Sequence, residues 1–185
     1  MAEALGAHLQ RADVRPVARL KRAHGQVAHG ERRLSALVSA DVVGYSQLIA
    51  ANEIGTVRTL TAYREEIGVL ASPHNGRVVD SPGDNILIEF PSATEAVEAA
   101  IAIQRVIAAR NVALPEGRRL EFRIGVHMGE VLVEGGRIYG NGVNVAARIE
   151  SVADPGGVSM SETVFTQVVN KVDVASPGEV VEMRR

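Results

Sequence analysis

An α+β sandwich in the order β-α-β-β-α-β is predicted by three features of this chain. Short apolar runs of strand type, LSALVSA, NILIEF and FRIGVHM, alternate with longer segments of helical period. Two runs, RVV and NILIEF, are separated by little more than Ser81-Pro82-Gly83-Asp84, so they read as a hairpin rather than a crossover. The order of the elements then suits helices packed on one face of a mainly antiparallel sheet. That is the ferredoxin-like sandwich, here with further β and α elements after the core.

The elements follow in order. Residues 1–31 read as an N-terminal linker or loose helix, Arg- and Ala-rich and broken by Pro16 and Gly25, with no clean apolar stripe for a membrane-surface helix. The domain proper runs over 32–185 and opens with a buried strand at Leu34–Ala40. Gly44 breaks that pattern, and a helix covers about Ser46 to Leu70. His74-Asn75-Gly76 is a turn, and the hairpin comes next, with Pro82-Gly83 at the centre of a type II turn and Asp84 at the tip. Ser92 and Glu95 make a capping box for a helix whose buried face holds Ala96, Ala100, Ile103 and Ile107. LEFRIGVHM and EVLVE read as a second strand pair, and Gly135-Gly136 turns the chain. A short helix spans Asn144 to Val152, VSMS is a strand, and a last helix runs from about Glu162 to Val169. No internal repeat is visible.

Composition narrows the function classes. With 185 residues, 46% of them hydrophobic and 23% charged, the chain can bury one sizeable core. A net charge of -2 argues against nucleic acid as a partner. Cysteine is absent, which removes disulfide and thiol chemistry and suits a cytoplasmic setting. No run approaches the roughly 20 apolar residues of a membrane span, so no membrane partner is expected.

Chemistry gathers in three places. Asp41 follows the first strand, and Gly44, Tyr45 and Ser46 behind it form a turn and helix start whose N–H groups suit phosphate. Asp84 lies on the hairpin. Alone, each carboxylate reads equally well as a turn residue. If the Leu34–Ala40 strand lies beside the hairpin, the two meet at one sheet end and need a cation between them. Mg²⁺ is commonly held by one or two carboxylates plus substrate phosphates. Asn144 and Arg148, four apart, share a helix face. An isolated helical Arg is usually solvated; beside a metal site it can stabilise phosphoryl charge. His127 has no second ligand at metal spacing, and Ser46 has no adjacent base.

ADVVGYSQL, GRVVDSPGDNILIEF, FRIGVHMGEV and IYGNGVNVAARIE together resemble the catalytic domain of class III adenylate/guanylate cyclases, over about Arg32 to Lys171. The resemblance implies a metal-dependent cyclase converting ATP to 3′,5′-cyclic AMP and pyrophosphate. Asp41 and Asp84 would bind two Mg²⁺ or Mn²⁺ ions, Asn144 would orient the ribose, and Arg148 would stabilise the pentavalent transition state. Arg123 aligns with a phosphate-contacting arginine, although an ordinary strand-edge Arg is an equal reading. It further implies a head-to-tail homodimer whose sites take the carboxylates from one copy and Asn144, Arg148 and the base readers from the other.

Two departures qualify this. Where the family carries an adenine-reading Lys and Asp, this chain has Asp80 and Arg137, with both signs inverted. An acid at 80 can accept from guanine N1–H and N2–H₂ while Arg137 donates to O6, which opens a guanylate or relaxed-specificity alternative. Asp80 and Arg137 can also simply pair, and Asp80 can be only a turn residue. After Val174 the chain reads ASPGEVVEMRR, without the family's closing strand and phosphate-contacting Lys, so the expectation is an unpaired sheet edge and weaker phosphate binding. Both departures leave open a degenerate domain that binds nucleotide or a partner without turnover.

Overall fold

The computed structural model describes residues 30–172 and 181–184. The expected linker, apart from its last two residues, therefore lies outside the described residues, as do residues 173–180. The elements are β1 (Glu31–Val42), α1 (Tyr45–Ala71), β2 (Arg77–Asp80), β3 (Ile86–Phe90), α2 (Ala93–Val112), β4 (Phe122–Glu134), β5 (Arg137–Tyr139), α3 (Asn141–Ser151), β6 (Val158–Ser161), α4 (Glu162–Val168) and β7 (Val181–Arg184).

The strands form one seven-stranded sheet in the order β2-β3-β1-β4-β6-β7, with β5 hung on the end of β4. The pairs β2/β3, β3/β1, β1/β4 and β4/β5 are antiparallel, whereas β4/β6 and β6/β7 are parallel. The segment from β1 to β4 is thus the expected βαββαβ core. Its two central strands bury alternate residues on opposite faces, because successive side chains in a strand point to opposite sides of the sheet. Ala36, Val38, Ala40 and Val42 of β1 join Phe122, Ile124 and Val126 of β4 in the main core under α1, α2 and α4. Leu37, on the other face, packs with Val131, Ile138 and Ala146 in a second, smaller core. Ser35 and Ser39 lie buried on that face, and Asp41 continues the alternation.

Four expectations are corrected. Helices do not occupy one face only, since α3 sits on the second. LEFRIGVHM and EVLVE are one continuous strand: β4 keeps unbroken register with β1 from Phe122 to Val133, through Gly129 opposite Ser35. Gly129 is a place of close approach rather than a turn, with Gly142 of α3 against it. The hairpin turn is shifted by one residue. Asn85 N–H donates to Pro82 O (3.1 Å), so Gly83 and Asp84 are the central pair. With positive φ only at Gly83 (59°), the turn is type II′. The C-terminal edge is paired, not open, because β7 lies parallel to β6 with Val181 opposite Val158.

The helices show why local signals suffice in one case and not another. Ser92 caps α2 as read, its hydroxyl accepting from Glu95 N–H at 3.2 Å. In α1 the helical path breaks at Asn52 (φ −159°, ψ 81°). There the Asn52 Oδ1 accepts from Gly55 N–H at 3.0 Å, capping a second helical stretch inside what the sequence presents as one. The helix α3 starts at Asn141, three residues before the expected start.

Close contact between α3 and the sheet is set by Gly125. A Cβ at this position would collide with backbone atoms of Ala146 and Glu150. Gly125→Ala is therefore expected to destabilise the fold by about 2 kcal/mol through overpacking, measured by urea unfolding. A cost near zero would show that α3 is free to lift.

Candidate active site

At the C-terminal end of β1 the second face of the sheet turns polar. Asp41 and Arg123 are cross-strand neighbours in the β1/β4 register. Arg123 Nη2 donates to Asp41 Oδ2 at 3.1 Å, with the side chains 29% and 23% exposed, so this pair is only partly wetted. Arg123 Nη1 also donates to Ser151 O at 3.3 Å, while its Nε is buried without a partner.

Asp84 comes to the same place from the β2–β3 turn. Arg64 of α1 donates to Gly83 O and helps fix that turn. The Asp84 carboxyl is held above the usual carboxylate range, first by burial, then by a hydrogen bond to Asp41 and by its like charge; Arg64 opposes the shift. The two expected carboxylates are thus brought together. Their like charges make it costly to ionise both, and a bound cation would relieve that cost. Among the described residues there is no group of three or more His, Cys, Asp or Glu able to hold a metal ion. Two carboxylates would be the protein's share of a cation site, a donor set that would suit Mg²⁺, which commonly leaves other positions to water and phosphate oxygens.

Below the pair lies a residue that sequence reading missed. Glu150 of α3 is 5% exposed. Its Oε2 accepts from Ser39 Oγ at 3.0 Å and from Asn85 Nδ2 at 3.2 Å. Asn85 Nδ2 also donates to Ser39 Oγ at 3.1 Å, which closes a triangle. Burial pushes the Glu150 carboxyl up to about 7, with Asp41 and Asp84 raising it further and Ser39 and Arg123 pulling it down. The signal was present in the helical period: Glu150 shares the inward face of α3 with Gly142, Ala146 and Ile149. A charged residue on an inward face needs partners.

Asn144 and Arg148 are exposed on the outward side of α3. Among the described residues no side-chain hydrogen bond or ion pair joins either to Asp41 or Asp84. Arg148 instead lines an open groove of about 550 Å³ with Val145, Ile149, Val152 and the β6–α4 junction at Ser161–Thr163. The start of α1 has no side-chain cap, and Gly44 adopts φ 65°, so the first-turn N–H groups of Tyr45 and Ser46 have no side-chain acceptor.

Asp80 and Arg137 are both exposed at strand ends. They do not pair with each other among the described residues. Asp80 Oδ1 accepts from Ser81 N–H at 2.9 Å, while Arg77 Nη1 donates to Gly136 O at 3.0 Å and ties their two strands together. His127 Nδ1 lies 3.1 Å from Ser161 Oγ, and burial lowers its proton affinity. No helix of the described residues is long and apolar enough to cross a membrane.

Comparison with known proteins gives a consistent result. The family model described as the adenylate and guanylate cyclase catalytic domain matches residues 31–183. A Rhizobium meliloti (strain 1021) protein named "Putative adenylate cyclase 3" is 46% identical over 144 residues, 77% of this chain and 24% of that protein. The guanylate cyclase soluble subunit beta-2 of Rattus norvegicus is 30% identical over 170 residues, 84% of this chain and 25% of its own length. This chain therefore spans about a quarter of either relative. Among solved structures, the adenylate/guanylate cyclase/hydrolase from Silicibacter pomeroyi superposes with a TM-score of 0.71 at 34% identity, covering 78% of this chain and 85% of that one.

The raised Glu150 carboxyl predicts a pH dependence of stability in metal-free buffer. A carboxyl lifted from 4.5 to about 7 favours the fold fully below pH 4.5 and loses that favour as pH rises through 7. About 1 kcal/mol of the loss falls between pH 6 and 8.5. Glu150→Gln keeps an acceptor but cannot ionise, so its unfolding free energy is expected to fall by about 1 kcal/mol less over that interval. Identical slopes for the two proteins would contradict the assignment.

Proposed function

The chain belongs to the adenylate and guanylate cyclase catalytic domain family, and we propose that it cyclises a purine nucleoside triphosphate at a site shared by two copies. In the reaction the ribose 3′-oxygen attacks the α-phosphorus in line, the 3′-hydroxyl proton leaves, and pyrophosphate departs. The observation that carries this reading is the division of the site. Asp41 and Asp84 meet on the sheet, while Asn144 and Arg148 face outward on α3, so one copy offers two incomplete halves. A head-to-tail homodimer completes both.

Each residue then has a task. Asp41 and Asp84 hold two Mg²⁺ or Mn²⁺ ions. When bound, such ions lower the pKa of a hydroxyl and neutralise phosphate charge. Arg123, beside Asp41, offers positive charge to the phosphates, and the amides of Gly44, Tyr45 and Ser46 cradle them. Asn144 of the second copy orients the ribose. Arg148 offsets the charge that grows on the equatorial oxygens at the pentavalent transition state, a contribution worth about 10²–10³ in rate for one such donor.

ATP is the leading substrate, supported by the name of the 46% identical relative. A second reading, GTP or relaxed base choice, is favoured by Asp80 and Arg137. Neither is engaged by the other, so the second carboxylate oxygen of Asp80 and the guanidinium of Arg137 could serve as acceptor and donor for the guanine edge.

Purified protein with Mn²⁺ and ATP is expected to form cyclic AMP, and Asp84→Ala to reduce that rate at least about 10²-fold while leaving dimerisation intact. Cyclic GMP from GTP, with a preference that reverses in Asp80→Lys/Arg137→Asp, would move the assignment to the second reading. No cyclic nucleotide from either substrate, at concentrations where the dimer is shown, would overturn the enzyme reading and leave a nucleotide-binding homology domain.

A further inference from the structure

The buried triangle of Ser39, Asn85 and Glu150 has a placement that packing alone does not require. Ser39 stands two residues before Asp41, Asn85 one after Asp84, and Glu150 two after Arg148. Each corner therefore sits on the backbone of an element that carries a site residue. The three mutual hydrogen bonds, 3.0, 3.1 and 3.2 Å, involve side chains only. Ser39 and Glu150 are 2% and 5% exposed, so water does not replace these bonds cheaply. The groups facing Glu150 are Asp41 from β1, Asp84 from the hairpin turn and Arg123 from β4.

We propose that Ser39, Asn85 and Glu150 form a positioning brace that fixes the Asp41/Asp84 pair against α3, so that cation binding on one side of the chain and the seating of Asn144 and Arg148 on the other are coupled. Neither Ser39, Asn85 nor Glu150 touches substrate. Their effect is transmitted through the strand, the turn and the helix they join. Because the chain's carboxylates and its α3 serve different sites in a head-to-tail pair, the brace links the two sites of the dimer. This consequence rests on the cyclase reading above, whereas the brace itself rests only on the hydrogen bonds.

The test uses the full chain and reads two quantities besides activity. Mn²⁺ affinity is measured from the free-ion electron paramagnetic resonance signal, and amide exchange is followed along α3. Glu150→Ala and Asn85→Ala are expected to weaken Mn²⁺ binding about tenfold, the usual scale for removing a group that orients a ligand. Both should also speed exchange in α3. Glu150→Gln, which keeps an acceptor for Ser39 and Asn85, is expected to stay within about twofold of the parent. Val164→Ala, in the core on the opposite face of the sheet, should lower stability without changing Mn²⁺ affinity.

Parental Mn²⁺ affinity in Asn85→Ala and Glu150→Ala overturns the brace, as does a loss in Glu150→Gln equal to that in Glu150→Ala. An equal loss in Val164→Ala also overturns it, since the effect would then be general destabilisation. Should Glu150→Ala fail to fold, Asn85→Ala on the half-buried turn decides alone. If the parent protein binds no Mn²⁺, the cyclase reading fails separately, and exchange decides the brace: α3 must loosen in Asn85→Ala and not in Glu150→Gln.

Discussion

The closeness of α3 to β4 sets the terms for everything at the polar end of this molecule. The helix backbone lies on the sheet where Gly125 has no side chain, and Gly142 meets Gly129 further along. At that distance the inward residues of α3 cannot remain solvated. Ala146 and Ile149 meet the need with apolar surface, but Glu150 must find donors inside. It finds them in Ser39 and Asn85. The same approach leaves the other face of α3, with Asn144 and Arg148, exposed and turned away from the sheet.

A second constraint is electrostatic. Asp41, Asp84 and Glu150 all feel one another, and Arg123 and Arg64 supply the nearby positive charge. Burial and neighbouring negative charge raise the proton affinities of Asp84 and Glu150 despite Arg64 and Arg123, so added positive charge at this end of the sheet would be favourable. A divalent cation held by Asp41 and Asp84 would supply that charge and leave positions for phosphate oxygens. Stability and the proposed cation binding would then be two readings of one imbalance, and Glu150 stands where both would be felt.

Much of this was legible in the sequence, and the reasons for the rest are physical. The order of the elements and the Ser92 cap followed from local patterns, apolar runs and a capping box. The meeting of Asp41 with Asp84 was conditional on the first strand lying beside the hairpin, which the β1/β3 pairing supplies. The single long β4 was not legible, because Gly129 looks like punctuation in one dimension and is a contact point in three. The type II′ turn was misplaced because Pro82-Gly83 is the stronger turn signal, yet the carbonyl of Pro82 accepts the closing hydrogen bond. The edge strand Val181–Arg184 gains its order from β6, a partner that no window of sequence contains. Glu150 carries no motif signal of its own and is marked only by its position on the inward stripe of α3.

The division of the site between copies is the claim on which the functional reading turns, and subunit mixing measures it directly. Asp84→Ala and Arg148→Ala should each be inactive alone. In a mixed head-to-tail dimer one site collects both substitutions and the other collects neither. Equal mixing and re-equilibration should therefore restore about a quarter of parental cyclase activity, half the dimers being mixed with one intact site each. No recovery, with mixed dimers demonstrated by mass, would contradict a shared site.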